Sequence, residues 1–340
     1  WGAIAFARFG PLNAPRCSAR RWVTVSGSSG VDALACGLPA MPPCKTLAFA
    51  VADPPTAGSH ATFELRAENY AMSTAVSLAS RYITVQLASV DQAASLALQL
   101  DCGGGTCLKL VTSSITLNDL VLVHGSPAVK ISPFATSILI ADSAFSNNAG
   151  TPLSQGASIS VPIGSELTCA RCSFADNTGD GAAAFVTFAT ATFVDCSFAR
   201  NVGSYEGGAI FGFAASLTLT GCDVHDNSAG FGAALYLQRG SLVVNGGQFA
   251  NNTGVNGGVF LLDTVQAAAD VGGRVSLLSG ATFAQNSAAE GAVIYLQNSD
   301  ITVHGVTASD NIAVAAAGGV GGFASVRDST LDVDSSVFAR

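Results

Sequence analysis

From Phe145 to Asn311 one pattern recurs seven times: an aromatic or small residue, two variable residues and an asparagine, followed in most copies by a glycine-led apolar tetrad. The asparagines are Asn148, Asn177, Asn201, Asn227, Asn252, Asn286 and Asn311, spaced 29, 24, 26, 25, 34 and 25 residues apart. A repeat on the order of 25 residues is one supersecondary unit that can bury its apolar face only against neighbours like itself, which is the signature of a solenoid. Five of the seven segments begin with phenylalanine, namely Phe145, Phe174, Phe198, Phe249 and Phe283, while Val224 and Ala308 depart from it. The tetrads start at Gly181, Gly207, Gly232, Gly257, Gly291 and Gly321.

A coil that rises one strand spacing, roughly 4.8 Å, places equivalent residues of successive coils directly over one another. An inward phenylalanine column then fills a core, and glycine supplies the left-handed backbone that a tight corner demands. An inward asparagine column can satisfy itself by passing amide hydrogen bonds from coil to coil, which removes the cost of burying a polar group. The seven asparagines are therefore read as a structural ladder. His124, 24 residues before Asn148, is expected at the ladder position of an earlier coil.

Only 11% of residues are charged and 49% are hydrophobic, yet no apolar run approaches the roughly 18 residues of a membrane helix. The positive mean hydropathy of +0.43 comes instead from many short strands such as Ser216–Thr220 and Ser241–Asn245. The fold expected is all-β: a right-handed parallel β-helix of about eleven coils, with residues 1–60 as an N-terminal segment and cap and residues 61–340 as repeats. Thr46 is placed to cap a short helix through Val51 that would close the apolar end of the array. Because Ser336–Arg340 repeats the start of the Phe198 coil and then stops, the chain is read as a processed product or one segment of a longer protein.

Net charge is −8 and lysine occurs only at Lys45, Lys109 and Lys130, which excludes the basic stripe that nucleic acid requires and disfavours acidic polysaccharides. Nine cysteines point to an oxidising compartment. Expected pairs are Cys36 with Cys44, Cys102 with Cys107, Cys169 with Cys172 and Cys196 with Cys222, the alternative being small buried hydrophobes. No metal is expected, since no second Cys/His pair stands at zinc-site spacing, and no cofactor motif is present. Asn251 with Thr253 forms a single glycosylation sequon.

Segments such as FARN (Phe198–Asn201) followed by GGAI (Gly207–Ile210) resemble the repeats of chlamydial polymorphic outer membrane proteins. The resemblance covers about Ala144 to Arg340 and implies a β-helix of the pectin lyase-like class, a class also found in large surface proteins of algae and other protists. It implies a rod whose motifs build the helix and whose variable surfaces carry adhesion. The same class hosts polysaccharide lyases and glycoside hydrolases, so a carbohydrate-active enzyme is the alternative. That chemistry needs convergent carboxylates, or a base beside a cation. Asp176, Asp180, Asp195, Asp226 and Asp310 fall instead in turns beside the ladder, where aspartate is favoured for its local backbone hydrogen bonds. No catalytic residue is assigned.

The expected function is a non-catalytic extracellular or cell-surface module, structural or adhesive, with surface or filament proteins or glycans as partners. Strand alternation within the tetrads supplies a candidate contact surface. If Ile210, Leu235, Phe260 and Ile294 face inward, then Phe211, Tyr236, Leu261 and Tyr295 face outward as one apolar stripe.

Overall fold

The computed structural model describes residues 20–25, 60–66, 69–72, 74–79, 83–87, 99–111, 114–150, 156–263, 276–314 and 322–339. Among these residues every named element is a strand, and the strands stack in parallel into sheets of 12, 11, 10 and 4. We call the 12-stranded sheet A, the 11-stranded sheet B, the 10-stranded sheet C and the 4-stranded sheet D. One coil shows how the sequence makes them: Ala184–Thr187 lies in sheet C, Thr190–Val194 in sheet A and Ser197–Ala199 in sheet B. The cap helix expected after Thr46 and the pair Cys36 and Cys44 lie outside the described residues. Sheet A takes in one strand from the segment assigned to the cap, Arg20–Val25, which pairs with His60–Leu65.

Three residues turn that coil, and each is left-handed: Phe188, Asp195 and Arg200 at φ of 50°, 51° and 53°. The next coil turns at Ala214, Gly221 and Asp226. An L-residue in this region gives up roughly 1–2 kcal/mol, which is why aspartate, asparagine and glycine recur at these corners. The longest spacing, 34 residues from Asn252 to Asn286, leaves the register intact, since Thr253 still pairs with Ser287.

Like residues sit on like. Phe145, Phe174 and Phe198 stack inside sheet B with ring centroids 4.9 and 5.0 Å apart and planes within 9° and 7° of parallel. Phe193 meets this stack edge-on, and Phe249 and Phe283 continue it beyond the step at Val224. All these rings are buried, so the core is one continuous column rather than a set of separate clusters.

The tetrad glycines hold the turn from the ladder into sheet C. Gly207 has φ of 57°, and a Cβ there would lie 2.3 Å from the Ile210 carbonyl oxygen. Gly246 has φ of 68° with open space around it. Gly246→Ala should therefore cost only the left-handed term, roughly 1–2 kcal/mol, and Gly207→Ala distinctly more. Thermal melts of the two variants test this order, and equal shifts would mean that the close carbonyl is irrelevant.

Candidate functional site

The ladder runs through the interior. Asn177 Nδ2 donates to Asn201 Oδ1 at 2.9 Å and to the Phe145 carbonyl at 3.0 Å, while the Asn177 backbone N–H donates to the same Oδ1 at 3.2 Å. The scheme repeats from Asn148 through Asn201, Asn227, Asn252 and Asn286 to Asn311. Each link serves a side-chain donor and a backbone donor with one oxygen, so the column is saturated and offers nothing to a ligand. Gly125, not His124, holds the preceding rung: its N–H donates to Asn148 Oδ1 at 2.7 Å. His124 occupies the left-handed corner one residue earlier, as Asn147, Asp176 and Arg200 do in later coils, and its Nδ1 lies 3.0 Å from Asp101 Oδ1 on the surface.

The stripe is in register but covered. Phe211 pairs with Tyr236, Tyr236 with Leu261 and Leu261 with Tyr295, all facing out of the main core. Their exposures are only 3–7%, because Phe185, Phe213 and Phe231 pack against them and make a second apolar cluster. Phe231 belongs to sheet D, whose strands Ser228–Phe231, Thr253–Asn256, Ser287–Ala288 and Ile312–Ala313 thicken this flank. Desolvation accordingly pushes the Tyr236 hydroxyl well above its usual range. The expected open contact surface is not there.

The cysteines divide into two chemical states. Cys102 and Cys107 form a disulfide across the turn at Gly103–Gly105, as expected. Cys169, Cys172, Cys196 and Cys222 are buried free thiols, against the pairings expected for them. Cys172, Cys196 and Cys222 stack in one column, one residue before the paired Ser173, Ser197 and Asp223. Their sulfurs also address carbonyls of the previous coil: Cys172 to Ile140, Cys196 to Cys169 and Cys222 to Phe193, at 3.4 to 3.5 Å. Burial raises the Cys169 and Cys222 thiols, Cys222 to about 12, and hydrogen bonds within the cluster raise Cys172 and Cys196 further. A thiol held so far above neutrality carries no nucleophilic thiolate. Peptide mapping after alkylation should leave these four unmodified in the native protein and modify all four in denaturant. Native labelling of any one would contradict the packing.

The carboxylates are engaged. Arg200 grips Asp176 through two hydrogen bonds of 2.7 and 2.8 Å, and Arg171 grips Asp142 in the same way from the next coil. The Arg200 hydrogen bonds hold the Asp176 carboxyl below its ordinary range. Asp180 Oδ1 accepts from the Tyr205 and Glu206 N–H groups, and Asp195, Asp226 and Asp310 are left-handed corner residues. These are turn roles, as expected. Among the described residues no group of three or more His, Cys, Asp or Glu side chains is arranged to hold a metal. Asn251 of the sequon is exposed at a corner.

What remains open is an aromatic ledge along the corner from sheet C to sheet A. Phe134 and Phe188 are left-handed, at φ of 63° and 50°, and 69% and 54% exposed. The Phe134 ring lies over Gly164, where a Cβ would come within 2.3 Å of it. Phe188 meets Phe213 edge-on at 5.2 Å, and the Arg239 guanidinium stands 5.7 Å above the Phe213 ring with no carboxylate partner among the described residues. Bulky residues rarely take this backbone, and large rings rarely stay in water without a reason. Sequence reasoning passed over the ledge, although it carried a signal: Phe134–Ala135–Thr136 and Phe188–Ala189–Thr190 are the same tripeptide.

A family model described as a right handed beta helix region matches residues 112–338, about two thirds of the chain. No curated protein and no solved structure matches the chain. Parallel sheets, left-handed corners and an unbroken internal ladder agree with that match, and the chain belongs to the right-handed β-helix family.

Proposed function

We propose that this chain is a non-catalytic extracellular module of a larger cell-surface or filament assembly, a stiff rod that meets protein neighbours or glycans through its corners. The observation that carries the reading is the ledge of the exposed Phe134 and Phe188 with the half-buried Phe213, beside Arg239, which has no carboxylate partner among the described residues. Rigid aromatic rings with a neighbouring guanidinium are the residue types enriched where proteins grip partners. The FxxN and GGAI repeats support kinship with the polymorphic outer membrane protein type. The buried Cys102–Cys107 bond supports an oxidising location, in which the four interior thiols persist because nothing reaches them. The alternative, a carbohydrate-active enzyme, would need free convergent carboxylates. Here Asp142 and Asp176 are each tied to an arginine of a neighbouring coil.

The test compares retention of surface-fraction components on the immobilised protein and on a Phe134→Ser/Phe188→Ser variant. Both changes lie in solvent and should leave the melting temperature within a few degrees of the parent. Partner retention by the parent that the variant loses supports the module. A chain that retains nothing yet depolymerises a polysaccharide would overturn it.

A further inference from the structure

The outer face of sheet A differs from every other face of the rod. Down its centre the paired outward residues are Thr84, Thr116, Leu139, Thr168, Thr192 and Thr218, followed by Val243, which has the same branched shape without the hydroxyl. A flanking column runs through Thr190, Ser216 and Ser241, and Thr220 stands on the other side. Strand preference alone does not account for this. The equivalent outward column of sheet C reads Ser77, Lys109, Lys130, Ser160, Phe185 and Phe211. Threonine suits any outward strand position, and only one face concentrates it.

The geometry is that of a grid. Adjacent strands lie about 4.8 Å apart, and successive outward residues of one strand about 6.6 Å apart, so parallel in-register pairing repeats hydroxyls and methyls on a nearly rectangular net. Among the described residues the hydroxyls of Thr168, Thr190, Thr192, Thr218 and Thr220 have no hydrogen-bond partner, and their side chains lie on the outward side, Thr190 exposed and the others half-buried. Threonine has a stiff χ1, and the strands beneath are locked by the interior ladder, so the net is ordered before anything binds. Over Glu166–Ala170, Thr190–Val194, Ser216–Thr220 and Ser241–Asn245 the only ionisable outward side chain is Glu166, at the margin, and no outward ring is present.

A stretch whose single ionisable group stands at its margin offers little to select an ionic ligand, and without rings it lacks the stacking platform of a sugar site. What it does present, at a fixed spacing, is a set of groups that each donate one hydrogen bond and accept two, separated by methyls. That is the chemistry of a surface matched to ordered water. We propose that the outer face of sheet A, centred on Thr192 and Thr218, is an ice-binding surface whose ligand is the lattice of crystalline water. The function is separate from the partner contacts of the aromatic ledge and does not depend on them.

The experiment is ice-affinity partitioning of the full chain, with thermal hysteresis and crystal shape read by nanolitre osmometry. The parent should enter the ice fraction and facet growing crystals. Thr192→Tyr/Thr218→Tyr, which breaks the net from the solvent side, should fall to the uptake of an inert control protein, whereas Lys130→Tyr on sheet C should match the parent. Exclusion of the folded parent from ice overturns the proposal whatever the variants do. So does equal uptake by the double variant, and so does retention on a crystalline polysaccharide with no uptake into ice.

Discussion

Asn201→Leu should lower the stability of the rod by about 3–9 kcal/mol, although it replaces a buried polar side chain with an apolar one of similar volume. The sum follows from what the amide serves. Asn201 Oδ1 is the acceptor for both the Asn177 side-chain amide and the Asn177 backbone N–H, and Asn201 Nδ2 satisfies the Phe174 carbonyl at 2.9 Å. Leucine leaves two buried donors and one buried acceptor without partners, each worth roughly 1–3 kcal/mol in a site closed to water. Asn245 makes the contrast, because it is exposed on sheet A, and Asn245→Ser should stay within about 0.5 kcal/mol of the parent. Urea titrations followed by circular dichroism read both. Comparable midpoints for the two variants would show that the ladder contributes no more than a surface amide.

Phe174→Ala should cost about 3–5 kcal/mol, the range for emptying a large aromatic site that cannot collapse. Its ring is stacked on both sides, against Phe145 and Phe198, with Phe193 at its edge. The backbone on either side is pinned by parallel pairing, so neighbouring coils cannot close on the cavity. Phe174→Leu, which keeps most of the volume, should lose less than half as much. Phe188→Ala, on the exposed ledge, should be nearly silent. The same titrations measure all three, and a Phe188 effect as large as that of Phe174 would contradict the assignment of inside and outside.

The ladder and the phenylalanine column were legible because a repeat states each inward position several times, and stacking turns a sequence period into a spatial column. His124 was misplaced by one residue because each corner residue immediately precedes a rung, and without the repeated asparagine nothing in that coil marks which is which. Alternation correctly set Phe211, Tyr236, Leu261 and Tyr295 on the outward side. It could not show that Phe213 and Phe231 would fold back over them, since that depends on where a corner turns and where sheet D begins. The cysteine column was legible for the same reason as the phenylalanine one, but its oxidation state was not. Vertical stacking brings the sulfur atoms near one another, and hydrogen bonds to the preceding coil then decide where they point.

The asparagine ladder also gives the molecule a sense of direction. Every amide from Asn148 to Asn286 hands its Nδ2 to the next residue of higher number and receives from the one before, and every strand runs parallel to its neighbours. Such an object is an arrow. A twofold axis perpendicular to the rod would set donor against donor or acceptor against acceptor, so no dimer meeting end to end on such an axis can carry the ladder across its junction. Only a translation along the axis with a rotation about it preserves the sense of the bonds. Any end-on continuation of the column is therefore head-to-tail, the heterologous arrangement that yields open filaments rather than closed pairs.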